Sequence, residues 1–257
     1  MKEFGLIGYP LGHSFSARYF AEKFAREGID ARYTPHEMAS LDGEPGFAAV
    51  AHLDGFNVTY PHKEAIIPYL DTLDETASAV GAVNVVKRNG GRLTGYNTDC
   101  TGFAEDLAEW FSLYNAAERP RRVMVLGTGG AAKAVVYGLR QAGIEVTVVS
   151  RDAVSKKGLF GEDVRMLNYN ALGGDVMCAH SLIVNCTPLG MAPDTGSCPP
   201  VPYEYIGTGH WLYDCVYNPA ETLFLHEGRT RGARTRNGLG MLQKQAEAAW
   251  AIWSASQ

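Results

Sequence analysis

Three glycines, Gly127, Gly129 and Gly130, separate the apolar run Val123 to Leu126 from a stretch of helix formers, Ala131 to Leu139. A strand that turns through glycine into a helix suits a pyrophosphate. Gly127 allows the tight turn, Gly129 lets the backbone approach, and the free amides at the helix start offer hydrogen bonds to phosphate oxygens. The spacing departs from G-x-G-x-x-G, with Gly130 directly after Gly129 and Ala132 in the last glycine position, a replacement the fingerprint permits. Taken alone, such a turn fits a parallel sheet without any nucleotide equally well. About 20 residues beyond it, where a dinucleotide site meets the ribose, a second parallel strand, Glu145-Val-Thr-Val-Val-Ser150, closes on Ser150-Arg-Asp152, with Lys156 and Lys157 following. Arg151 suits a 2′-phosphate and so NADP, whereas Asp152 would repel that phosphate if it faced inward.

Other polar groups stand where apolar segments end. Ser14 and Ser16 sit at a helix entrance, where they either cap the helix or add their hydroxyls to its amides to hold a carboxylate. Lys63, beside Asn57 and Thr59 at a strand end, opens a helix running through Ile66 and Ile67 toward Leu70. A cation in the first turn works against the helix dipole, so a solvated surface lysine and a site lysine are both open readings. Asn84 lies within the apolar segment Gly81 to Val86 and needs a partner from protein or ligand. Asp99, before a helix from about Thr101 to Leu113, reads as an N-cap. Gln245 adjoins the apolar stripe of the last helix, Leu239, Leu242, Ala246, Ala249, Trp250 and Trp253.

These groups are carried by alternating strands and helices, the pattern of a parallel sheet. Candidate strands are Phe4 to Gly8, Ala31 to Thr34, the segment from Gly55, Val123 to Leu126, Glu145 to Ser150, Ser181 to Cys186 and Trp211 to Val216. Asn89-Gly-Gly91 joins a hairpin, and Phe47 to His52 reads as a short helix. The length of 257 residues favours two domains, with Asn115 to Pro120 a polar linker. An apolar fraction of 46% with 20% charged residues is that of a soluble globular protein, and no run approaches the roughly 20 residues of a membrane span. The first ten residues carry no targeting signal, which places the protein in the cytoplasm. A net charge of −5 offers no support for a nucleic-acid partner. The five cysteines lack the close spacing of a metal or dithiol site and read as reduced packing residues, so no metal is expected.

Together the segments resemble the shikimate dehydrogenase family. The likeness is carried, in the family's order, by Gly8-Tyr-Pro-Leu-Gly-His-Ser-Phe-Ser16, Phe56-Asn-Val-Thr-Tyr-Pro-His-Lys-Glu64, Gly81-Ala-Val-Asn84, Gly95-Tyr-Asn-Thr-Asp99, Gly127-Thr-Gly-Gly-Ala131, Asn185-Cys-Thr-Pro-Leu-Gly-Met191, Tyr213-Asp-Cys-Val-Tyr217 and Gly238-Leu-Gly-Met-Leu242 through Gln245. The resemblance implies an α/β protein with an N-terminal α/β substrate domain (1–98 and 237–257), a Rossmann-like dinucleotide-binding domain (99–236) and a cleft between them. It implies reversible NADPH-dependent reduction of 3-dehydroshikimate to shikimate, with Lys63 and Asp99 the catalytic pair. Ser14, Ser16, Thr59, Asn84, Tyr217 and Gln245 would then surround the substrate. The cofactor would meet Gly127, Gly129, Gly130, Ala131, Ser150, Arg151, Thr187 and Gly238. Two departures stand out: Ala17 replaces the family's usual proline after the second serine, and Ser150-Arg-Asp152 keeps only the first of its arginines, with Lys156 a substitute. The second bears on the choice of NADP over NAD. The expected assembly is a monomer or homodimer. A quinate/shikimate dehydrogenase with relaxed cofactor choice and a non-catalytic nucleotide- or shikimate-binding regulator are the alternatives, though a regulator has no need of a proton donor.

Overall fold

In the computed structural model, which describes residues 1–12, 15–43 and 46–255, the chain divides into two compact units. One comprises Met1–Thr98 with Ala246–Gln257, the other Asp99–Gln245.

The first unit runs β1 (Lys2–Gly8), α1 (Phe15–Glu27), β2 (Ala31–Glu37), β3 (Gly55–Val58), β4 (Thr72–Leu73), α2 (Glu75–Val80), β5 (Val85–Asn89) and β6 (Arg92–Tyr96). Its sheet has the order β2-β1-β3-β5-β6-β4. β1 is parallel to β2 and β3, whereas β5 runs antiparallel to both β3 and β6. This mixture brings the ends of β1 and β3, the start of β5 and the end of β6 to one edge, since Asn57 pairs with Val85 and Val85 with Tyr96. Ile7, Phe56, Val58, Val83 and Val86 share one core, and Phe4, Phe20, Phe24 and Val85 share another with Trp253 of the last helix. The Trp253 indole donates to the Val86 carbonyl at 2.9 Å, and a side chain at Gly55 would collide with it.

Four local expectations differ from the structure. The segment from Lys63 does not enter an α-helix but runs through turns into a 3₁₀ turn, Ile67–Tyr69. Pro68 lacks an N–H and its ring blocks the preceding turn, which prevents helix continuation there. Phe47–Ala49 is likewise only a 3₁₀ turn. Asn84 precedes β5 rather than lying within it, and Ser16 lies inside the first turn of α1, which starts at Phe15.

The second unit runs α3 (Asp99–Ser112), β7 (Arg122–Leu126), α4 (Gly130–Gln141), β8 (Glu145–Ser150), β9 (Arg165–Asn168), α5 (Gly174–Ala179), β10 (Leu182–Asn185), β11 (Trp211–Asp214), α6 (Leu223–Thr230) and β12 (Arg234–Asn237), with α7 (Leu239–Ser254) beginning here. Its six strands are all parallel, in the order β12-β11-β10-β7-β8-β9. Each face of that sheet is covered, and successive β7 residues alternate between the two cores: Val123 and Val125 pack in one, Met124 and Leu126 in the other. This is the doubly wound order, and the direction of winding reverses between β7 and β10. Open α/β sheets bind ligands at the carboxyl edge of that switch point.

Candidate functional site

At the shared edge of the first unit, buried polar groups form a continuous hydrogen-bonded chain. Ser16 is bonded to the Tyr33 phenol, which donates to Asn57 Oδ1 at 2.7 Å; Asn57 Nδ2 in turn donates to the Asn84 carbonyl at 3.3 Å. Burial pushes the Tyr33 phenol well above its ordinary range, so it stays a neutral donor. The Asn84 amide is gripped by Thr98, whose backbone N–H donates to Asn84 Oδ1 at 2.7 Å and whose hydroxyl accepts from Asn84 Nδ2 at 3.0 Å. Lys63 is tied to the same place by its backbone, its carbonyl accepting from the Val83 N–H at 2.7 Å. Thr59 N–H donates to Ile7 O at 2.9 Å, and Thr59 packs so close to Gly8 that a side chain there would collide with its methyl. The structure thus gathers Ser16, Thr59, Lys63 and Asn84 at one edge. Ser14 lies outside the described residues.

In the second unit Gly127 directly follows β7 with φ +110°, a left-handed conformation that favours glycine, and a Cβ there would press on Cys186 and Thr187 just beyond β10. Gly127 and Thr187 therefore meet at the switch point. α4 starts at Gly130 with Gly129 as N-cap and no side-chain cap, and nothing lies within 4 Å of a Cβ built on Gly129. Uncapped amides facing open space fit a pyrophosphate. Ala131 occupies the first turn of α4. Ser150 ends β8 and accepts from the Asp152 N–H at 3.2 Å, while the Asp152 carboxylate is turned onto Ser155, whose hydroxyl bond holds it below the usual carboxylate range. Arg151 is exposed beside them. The repulsion Asp152 would exert on a 2′-phosphate is thereby directed into its own turn.

Asp99, 5% exposed, begins α3, and Gln245, 7% exposed, lies on α7. The two helices cross closely: a Cβ on Gly102 would come within 2.9 Å of Gln245 Cβ, and one on Gly240 would collide with Asp106. The Asp106 carboxylate is fully buried, accepting from Tyr213 at 2.7 Å and from Arg236 Nε at 3.0 Å. Held on both sides, it has little room to yield. Gly240→Ala is therefore expected to lower stability by about 1–3 kcal/mol through overpacking. A thermal midpoint equal to that of the unsubstituted protein would show that the carboxylate moves aside freely. Gly238 is buried against the Cys215 carbonyl, and Tyr217, whose phenol is pushed up by burial, follows β11.

Several supporting residues escape a sequence reading. Asn185 Oδ1 accepts from the Thr187 N–H at 3.0 Å and the Thr187 hydroxyl at 2.6 Å, fixing that turn. Asn185 Nδ2 donates to Asp214, which also accepts from Val216 N–H and the Thr222 hydroxyl. Burial without a cation pushes the Asp214 carboxyl up to about 6. A lone polar residue closing an apolar strand was the available signal for both. Among the described residues no group of three or more His, Cys, Asp or Glu is placed to hold a metal ion, and no helix is long and apolar enough to cross a membrane.

Comparison with known proteins extends over both units. The family model described as the shikimate dehydrogenase substrate binding domain matches residues 6–86. The chain is 35% identical to a shikimate dehydrogenase (NADP(+)) of Caldanaerobacter subterraneus, over 98% of this chain and 91% of the relative. It is 40% identical to the Salinibacter ruber protein of the same name, over 97% of this chain and 90% of the relative. The crystal structure of a Thermus thermophilus shikimate 5-dehydrogenase in complex with NADP(H) and shikimate matches with a TM-score of 0.86 at 32% identity, covering 99% of this chain and 94% of that one.

Proposed function

The chain belongs to the shikimate dehydrogenase family, and from that membership we propose that Lys63 is the proton donor and acceptor of the reaction, with Asp99 its partner. The protein is an NADP-dependent oxidoreductase that reversibly reduces 3-dehydroshikimate to shikimate. The observation that carries this is identity of about a third or more along almost the whole chain, through both units. NADPH supplies the hydride that reaches the ketone carbon; the chain must supply the proton that reaches the ketone oxygen. Lys63 gives it from its ammonium and takes it back in the reverse direction. Asp99 orients the lysine and the substrate hydroxyl, since a carboxylate beside an ammonium favours its charged form rather than tuning it toward neutrality.

In this reading residues 1–98 and 237–257 bind the substrate and residues 99–236 the nucleotide. Ser14, Ser16, Thr59, Asn84, Tyr217 and Gln245 hold the substrate's carboxylate and hydroxyls. Gly127, Gly129, Gly130 and Ala131 meet the pyrophosphate, Ser150 and Arg151 the phosphorylated ribose, and Thr187 and Gly238 the remainder of the cofactor. The uncapped start of α4 supports the pyrophosphate placement. The enzyme works in the cytoplasm as a monomer or homodimer.

The activity is tested by adding shikimate and NADP to the purified protein and following NADPH absorbance. Formation of NADPH is expected; its absence with shikimate, with turnover on quinate and NAD instead, would overturn the assignment. Replacing Ser14 and Ser16 together with alanine is expected to raise KM for shikimate while NADP titrations stay unchanged. Loss of folded protein without a selective effect on substrate would assign both serines to the architecture of α1.

A further inference from the structure

Cys186 and Cys215, 29 residues apart in the chain, lie with their Sγ atoms 3.6 Å apart. They directly follow Asn185 and Asp214, the last paired residues of β10 and β11, and the Cys215 N–H donates to the Asn185 carbonyl at 2.9 Å, so the parallel ladder extends one step further. Neighbouring strands stand about 4.8 Å apart, inside the roughly 4.4–6.8 Å range of Cα separations that a disulfide spans. Joining the sulfurs needs a further approach of about 1.5 Å, to a bond of about 2.05 Å. Both residues also abut glycines assigned above to the nucleotide. The Cys186 carbonyl lies 3.3 Å from the Cβ position of Gly127, and the Cys215 carbonyl packs onto Gly238.

We propose that Cys186 and Cys215 form an oxidation site at the nucleotide crevice, closed to a disulfide by peroxide, and that closure lowers affinity for NADP. The Cys186 thiolate attacks one peroxide oxygen, expelling hydroxide that is protonated to water, and becomes a sulfenic acid. The Cys215 sulfur then attacks that sulfur, loses its proton and releases a second water. The hydrogen bond with Cys186 and burial hold the Cys215 thiol well above its ordinary range. Drawing the sulfurs together pulls on backbone packed beside Gly127 and Gly238. By linkage, bound NADP disfavours the disulfide at equilibrium by the same factor. Thiol pairs of this kind in reducing compartments are transient and sensing rather than structural.

The effect on NADP rests on the family chemistry above; the bond itself does not. The reduced full-length protein is first assayed with shikimate and NADP, so that missing turnover at this stage counts against that chemistry alone. It is then treated with hydrogen peroxide and alkylated. The expected result is an intact mass lower by two hydrogens before alkylation and carrying three alkyl groups rather than five after it, a cross-link between the peptides bearing residues 186 and 215, NADP binding weakened several-fold, recovery with dithiothreitol, and a smaller cross-linked fraction at equilibrium in a glutathione redox buffer when NADP is present. Cys215→Ala, which cannot form the bond, is expected to keep its NADP affinity through the same treatment, while Cys100, Cys178 and Cys198 remain to report oxidation elsewhere. A wild-type protein with no 186–215 cross-link overturns the proposal. So does a cross-linked protein with unchanged NADP affinity, or an equal loss of affinity in Cys215→Ala.

Discussion

Replacing Lys63 with alanine is expected to lower turnover of shikimate by about 10²- to 10⁴-fold, the usual contribution of a positioned general acid or base, with NADP affinity unchanged. A lysine ammonium is charged at neutral pH and can protonate an alkoxide as it develops on the ketone oxygen. Removing it leaves water, a far weaker acid than an ammonium. The cofactor is spared because Lys63 belongs to the first compact unit and the glycine turn to the second. The backbone setting also survives the change: the Lys63 carbonyl, not its side chain, accepts from Val83. Asp99→Asn is expected to slow turnover as well, by less, since the amide keeps some hydrogen bonds and loses only the charge. Steady-state rates with separate NADP titrations on both variants decide the matter, and near-normal turnover in Lys63→Ala would assign the proton to another group.

Arg151→Ala is expected to weaken NADP by roughly 10- to 150-fold, the equivalent of the 1.5–3 kcal/mol of a charge-assisted hydrogen bond, while NAD binding hardly changes. Arg151 immediately follows β8, where the second strand of a doubly wound sheet delivers its end to the ribose. Asp152 is drawn onto Ser155, so the neighbouring charge is satisfied within its turn. Titration of both nucleotides against the variant tests this. An equal loss for NADP and NAD would mean that Arg151 supports the turn rather than reading the phosphate. If the selective loss appears only when Lys156 is also replaced, the two cations share the phosphate.

The glycine turn and the strands around it were legible because their signal is local. Val123 to Leu126 is apolar at every position, which a strand covered on both faces requires, and Gly127 adopts a φ that other residues rarely tolerate. The helix expected after Lys63 was misread for an equally local reason: apolar spacing through Ile66 and Ile67 suggested a helix, and the backbone restriction of Pro68 outweighed it.

By itself the sequence determined the alternation of strands and helices, the hairpin at Asn89-Gly-Gly91, the glycine turn and, through motifs in a fixed order, the family. Each of these is written in neighbouring residues, because propensity, periodicity and turn chemistry act over a few positions. Only the tertiary structure decided the order of the strands, and with it every partnership across the chain. Tyr33 meets Asn57, Asn84 meets Thr98, Asp106 meets Arg236 across 130 positions, and Cys186 meets Cys215. The cysteines looked unpaired because spacing along the chain conceals that β10 and β11 are neighbours in register. Such contacts depend on which strand lies beside which and at what offset, and a one-residue slip of a strand would turn its own side chains to the opposite face.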